Sequence, residues 1–201
     1  LTHNYNDIFQ GVITLTATHR FAKKGRSLSF RTKDSYYGNT DNQFNSYLTR
    51  YYRYKKNPDS LLVRKLHLNS FDRVWSFMGQ LSYNEPLGGG FHLQLTARSE
   101  RSIKTSQRDL FFLQKIDPLW LPPAYLGRKD AFASLPENYQ EGFDPSFSYD
   151  ARYEYMATTI ITSMRFVRKK FNITVGATFR PLHTRLTYTQ NGENKESLNK
   201  D

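Results

Sequence analysis

The chain contains no cysteine. Disulfides, thiolate metal centres and cysteine nucleophiles are therefore excluded. No stretch approaches the roughly 20 apolar residues that a membrane helix needs, so a helical span is excluded as well. Apolar residues are scarce overall, at 38% of the 201 positions, against roughly 45–50% in an ordinary globular domain counting glycine. Acidic residues are in deficit too: 18 Asp and Glu face 29 Lys and Arg, for a net charge of +11. No G-x-S-x-G, phosphate loop or Ser/His/Asp pattern occurs, and the carboxylates are scattered, so nothing marks an enzyme. The glycines of Leu87–Phe91 precede neither a Lys-Ser pair nor a helix, and read as a turn. His3, His19, His67, His92 and His183 lack metal-ligand spacing; they read as packing or wall residues, with no metal or cofactor expected.

What is abundant is aromatic residues, at 15%, set in segments that alternate in polarity. The most regular segment is Phe71–Arg101. Its first arm places Trp75, Phe77, Gly79, Leu81 and Tyr83 on one side and Ser76, Met78, Gln80 and Ser82 on the other. Its second arm sets Phe91, Leu93, Leu95 and Ala97 against His92, Gln94, Thr96 and Arg98. Successive strand side chains point to opposite faces, so each arm is a strand with one greasy and one wet face. The intervening NEPLGGG supplies the reversal.

The same pattern predicts two more hairpins. Ile13, Leu15, Ala17 and Phe21 share a face before AKKGR, and Leu28 and Phe30 resume after it. In the third hairpin, Phe147–Phe166 leads through VRKK into Phe171, Ile173, Val175, Ala177 and Phe179, with Pro181 ending or bending the strand. Short turns near Gly25, Gly89 and Lys169 thus alternate with long links over 38–62 and 102–146, and 190–201 reads as a polar, mobile tail. A transmembrane strand needs only about 9–11 residues of alternating polarity, and outer-membrane barrels place short turns at one end and long loops at the other. The expected fold is therefore all-β: six antiparallel up-and-down strands over 1–201, forming part of a transmembrane β-barrel with loops 38–62 and 102–146 extracellular. Six strands fall short of the roughly eight of the smallest single-chain barrels, so the chain reads as a slice of a longer protein. Trp75, Phe77, Leu81, Phe91, Leu93 and Leu95 are expected to face lipid, and Arg20, Arg31, Gln80, Gln94 and Arg98 the lumen.

The loop 102–146 is long, and four of the eight prolines fall between Pro118 and Pro136, yet it is rich in aromatics, including Phe132 and Phe143. Trp120, Tyr125 and Tyr139 offer flat stacking surfaces there, and Arg108, Arg128 and Lys129 offer donors to sugar hydroxyls or anionic groups. These six are the candidate ligand contacts; the alternative is that the aromatics only pack the loop. The Arg and Tyr of YLTRYYRYKK would also suit base stacking beside phosphate, but net charge alone does not choose a partner, and no nucleic acid is expected.

Three motifs, in order, carry a family resemblance: F-x-K-K-G-R at Phe21–Arg26, Y-x-E-P-L at Tyr83–Leu87, and K-K-F-N-x-x-x-G at Lys169–Gly176. They resemble the barrel region of Bacteroidetes-type TonB-dependent receptor-like outer-membrane proteins. That resemblance implies localisation in the cell outer membrane and a barrel around a plug, taking up large nutrients with energy delivered through TonB. It implies as partners the remainder of the barrel and plug, outer-membrane lipid and lipopolysaccharide, and, through the parent protein, TonB and a surface lipoprotein. No plug-like segment and no TonB-contacting segment is visible in this sequence, so uptake would belong to the parent, with this chain supporting it. The alternative function is a soluble β-rich module that binds glycan or nucleic acid.

Overall fold

The computed structural model describes residues 2–51, 60–117, 119–120 and 134–200. The chain is an antiparallel sheet built from β1 (Thr2–Arg20), β2 (Ser27–Tyr51), β3 (Ser60–Gly88), β4 (Phe91–Phe112), β5 (Tyr149–Arg168), β6 (Phe171–Phe179), β7 (Leu182–Gln190) and β8 (Glu193–Lys200). Strands pair with their sequence neighbours, in up-and-down order. β6 and β7 both pair with β5, β6 along Ile160–Arg168 and β7 along Tyr149–Ala157, so they form one line interrupted at Arg180–Pro181. Proline has no N–H to give to a ladder, which accounts for the break. The sheet is open: no pairing joins β1 to β6, β7 or β8 among the described residues.

The three short turns fall where the alternation predicts them, but the strands run further than expected. β2 reaches Tyr51 and β4 reaches Phe112, into segments expected to be loop, and the expected tail pairs with β7 as β8. The extensions begin with stretches polar on both faces, 39–43 on β2 and 104–109 on β4, where alternation is lost, yet their backbone groups still pair with neighbours. The β7–β8 reversal is made by Asn191 and Gly192, both at positive φ, the Asn-Gly turn that suits a two-residue hairpin. The count is thus eight strands, not six.

Following the pairing across the sheet assigns the faces. Leu15, Phe30, Trp75, Phe77, Leu81, Leu95, Ile160, Met164, Ile173 and Val175 lie on one face with Phe91 and Leu93. Arg20, Arg31, Gln80, Gln94 and Arg98 lie on the other. The apolar face is uncovered: Ile13 is 67% exposed and Val175 69%, and of the six residues expected to face lipid all but the half-buried Leu93 are exposed. Aromatics gather at both ends of this band. Phe9 tilts against Tyr36 and Trp75 stacks on Phe77 toward the loop end; Phe91 meets Phe166 at 4.6 Å near the turns.

The turns are staggered. The row of Arg20 runs through Ser27, Asn84, Gln94 and Ser163, and β5 continues five residues beyond Ser163 before turning at Arg168. At about 3.4 Å per residue and about 4.8 Å between strands, a line through the turns lies about 40° from the perpendicular to the strands.

The first two motifs meet in space. Glu85 takes Lys23 Nζ at 2.6 Å, Arg26 Nε at 2.6 Å and the Tyr83 hydroxyl at 2.5 Å. These three donors hold its carboxyl well below the usual carboxylate range, Arg26 contributing most. In the third motif, Asn172 accepts from Arg165 Nε at 2.9 Å, and Gly176 lets β6 sit close to β5, since a Cβ there would lie 3.0 Å from the Thr162 carbonyl oxygen.

Gly90 joins the second and third turns: its carbonyl accepts the Val167 N–H at 2.8 Å, and its φ is +92°. A Cβ on Gly90 would collide with the Val167 carbonyl oxygen. Gly90→Ala is expected to cost at least about 2 kcal/mol, from left-handed strain plus the collision. The shift of the urea unfolding midpoint relative to the unsubstituted protein measures it; an unchanged midpoint contradicts the turn geometry.

Candidate functional site

Two places gather chemically capable side chains, on opposite faces. The first is the middle of the polar face. One row of paired residues runs Arg31, Gln80, Arg98, Thr159 and Arg180 across β2 to β5 and on to the residue after β6, because Ile160 pairs with Phe179 immediately beside it. Glu100 sits next to this row, in a salt bridge with Arg98 and 3.8 Å from Arg180. Arg180 also donates to the Tyr155 hydroxyl at 2.6 Å. Ser76 and Ser102 share a hydrogen bond of 2.8 Å, and Ser82 and Thr96 one of 3.2 Å. A cleft of about 240 Å³ opens there, lined by Lys33, Ser76, Arg98, Glu100 and Tyr155 among others. A second cleft of about 630 Å³ lies nearer the turns, lined by Asn84, His92, Gln94, Arg165 and Asn172. The chemistry on offer is hydrogen bonding and cation–anion pairing. Among the described residues no group of three His, Asp or Glu side chains converges to hold a metal.

The second place is the loop end of the apolar face. Phe44, His67 and Phe111 form one row of β2, β3 and β4, and the chain following β4 folds back over them. Phe44 and Leu113 are fully buried, with Trp120, Leu135 and Tyr139 packed around them. Trp120 stands edge-on to Phe44 at 5.3 Å, donates its indole N–H to the Ser134 carbonyl at 3.0 Å, and its own carbonyl accepts from Lys65 Nζ at 2.7 Å. Tyr139 meets Phe111 edge-on at 5.1 Å. Two of the three rings that sequence reasoning offered as stacking surfaces, Trp120 and Tyr139, are therefore engaged in holding the loop down.

Arg108 is not with them. It pairs with Ser70 and Tyr149 on the opposite face from Phe111, beside a cleft of about 400 Å³ lined by Arg64, Phe112, Tyr149 and Gln190. Tyr125, Arg128, Lys129 and Phe132 lie outside the described residues. The arginine row was missed as a set, although Arg31 and Arg98 were each assigned to the wet face. The alternation of 171–180 likewise puts Arg180 on the wet face of its own strand, but pairing, which aligns the three, is not written in periodicity.

Burial pushes the His67 imidazole down to about 4 against a weaker opposing hydrogen bond with the Gln43 backbone. The unfolded chain, with an ordinary histidine near 6.5, takes up a proton first as pH falls. The stabilisation is therefore complete above about pH 6.5, is lost progressively down to about pH 4, and has an upper bound of about 3 kcal/mol. Amides of residues 110–117 are expected to exchange faster at pH 5 than at pH 7 after correction for intrinsic rates, and His67→Phe is expected to flatten that dependence. A second outcome follows from the packing: Trp120→Ala, which removes a half-buried ring from Phe44, is expected to cost about 1–3 kcal/mol of stability, read as a lower melting temperature.

No protein-family model matches this sequence, and no curated protein matches it either.

Proposed function

We propose that this chain is a segment of the wall of an outer-membrane β-barrel, supporting TonB-dependent uptake of a ligand by the parent receptor. The observation that carries the reading is the uncovered, mainly apolar face of β1–β6, interrupted by Asp34, Arg101 and Glu154 only toward its loop end. On β3 the band spans nine residues, from Trp75 to Tyr83, which suits the roughly 9–11 residues of a tilted transmembrane strand. Aromatics at both margins match the interfacial girdles of such barrels. The stagger of the turns gives a tilt near 40° when the turns are set level, within the roughly 35–45° of closed barrels. Beyond the band the chain covers Phe44 and Phe111 with its own loop, as a segment rising into water would.

In this reading the polar face lines the lumen, against the plug and the solute, and the basic turns lie at the periplasmic side. The outer edge of β1 and the edges of β6 and β8 join the remainder of the barrel, since open edges leave backbone groups unsatisfied in lipid. The resemblance of the three motifs names the receptor class. The loop after β4 acts as a cover on the outer surface of the wall above the membrane.

The test is a pair of substitutions in the parent protein folded into phosphatidylcholine vesicles. Leu81→Arg, on the band, is expected to cost roughly 2–4 kcal/mol, and Gln80→Arg, on the opposite face, little. Equal tolerance at the two positions, or a monodisperse folded monomer in plain buffer, overturns the reading.

A further inference from the structure

We infer that the polar face carries a binding site for a small soluble polyanion, bearing two or more carboxylate or phosphate groups, built on Arg31, Arg98 and Arg180. The inference stands on strand pairing and does not require the barrel. The three arginines occupy one register row, on β2, on β4 and immediately after β6. Alternate strands lie about 10 Å apart, so the guanidinium groups recur at about that interval, and their long side chains let neighbours converge on groups spaced more closely. Lys33 follows Arg31 on the same face and lines the cleft beside Arg98. Four cations therefore face a single nearby carboxylate, Glu100, which Arg98 and Arg180 share. Neither Arg31 nor Lys33 makes a salt bridge among the described residues. The nearest other acidic groups on this face are Asp72 and Asp41, six or more residues along their strands from the row, while Asp34 and Glu154 point to the apolar face.

This imbalance is not what a wall needs to stay folded. A structural network would pair each cation, as Glu85 pairs Lys23 and Arg26 at the turns. Here Glu100 is engaged with Arg98 and Arg180, and the Tyr155 hydroxyl fixes Arg180 as well, so two guanidinium groups are held in place while Arg31 and Lys33 remain available. Guanidinium recognises planar carboxylate and phosphate oxygens through paired N–H donors, which makes such anions the fitting class. The Ser76–Ser102 pair adds hydroxyl groups at the cleft wall, able to donate to the same oxygens.

The probe is tripolyphosphate, titrated calorimetrically into the full-length protein at low ionic strength. Saturable binding that weakens as sodium chloride rises toward 0.5 M is expected. Arg98→Gln is expected to weaken it at least tenfold, Arg31→Gln severalfold, and Arg98→Lys less than Arg98→Gln, whereas Lys24→Gln, in the first turn, leaves it unchanged. Because Arg98→Gln also strips a partner from Glu100, Arg31→Gln serves as the variant that breaks no ion pair. Absence of binding to the folded wild type, or wild-type affinity in a folded Arg31→Gln and Arg98→Gln pair, overturns the inference. Vesicle insertion is scored separately: binding by a protein that stays soluble keeps the anion site and removes the barrel, and insertion without binding does the reverse.

Discussion

Everything in this sheet depends on what covers the apolar face of β1–β6. A side chain such as Leu81 or Ile160 gains roughly 1.5–3 kcal/mol when fully removed from water, yet these residues stay exposed. The only buried apolar side chains among the described residues are Phe44, Leu110, Phe111, Leu113 and Ala157, too few to stabilise a sheet of this extent. A soluble protein would close a second layer over such a face. A bilayer does the same without any further protein, provided the sheet has no free edge. In the proposed barrel the polar face and the open edges are two sides of one requirement: the wall curves to meet itself, and its inner surface is wet.

The chain treats its apolar face differently along its length. Across the band it supplies no cover. Further along the same face it spends the segment after β4 on Phe44, His67 and Phe111. This difference is an argument about where water begins. If the whole face met water, covering only its far end would leave the larger exposed area untouched; if the whole face met lipid, the loop with its backbone polar groups would be out of place. The boundary between the two that the proposed membrane reading supplies accounts for both. It also changes the meaning of Trp120 and Tyr139, whose rings are occupied in packing and which sit on the outside of the wall in that geometry.

The alternation of Trp75–Tyr83 and Phe171–Phe179 made the strands and their faces legible, and glycine or basic residues marked the turns. What could not be read was the reach of the strands. Asn39–Gln43 and Lys104–Asp109 carry polar residues on both faces, so period-two contrast vanishes although the ladder continues. The tail was judged by polarity, and its Asn191-Gly192 turn was the overlooked signal. Pairing explains the remaining gaps: Arg108 and Phe111 fall on opposite faces once β4 is known to extend to Phe112, and Lys23, Arg26 and Glu85 meet because β1–β2 and β3–β4 turn at one end. The first two motifs that suggested a family are thus one ionic cluster seen from two parts of the sequence.

The stagger of the turns has a consequence for the arginine row. A row of paired residues runs perpendicular to the strands, so in a wall whose turns lie level it is inclined by the same angle, about 40°. Arg31 lies four residues from the last pair of its turn, at Ser27; Arg180 is in register with Thr159, nine residues from Arg168. The row therefore climbs from Arg31 through Arg98 to Arg180, away from the turns, by roughly 6 Å for each step of two strands. On the proposed barrel and anion site, an anion arriving from the loop end would meet Arg180 and Glu100 first, where the charge is partly neutralised, and Arg31 with Lys33 last, where it is not. In that proposed geometry the uncompensated positive charge increases along the descent, which would favour movement toward the turn end over retention at the loop end.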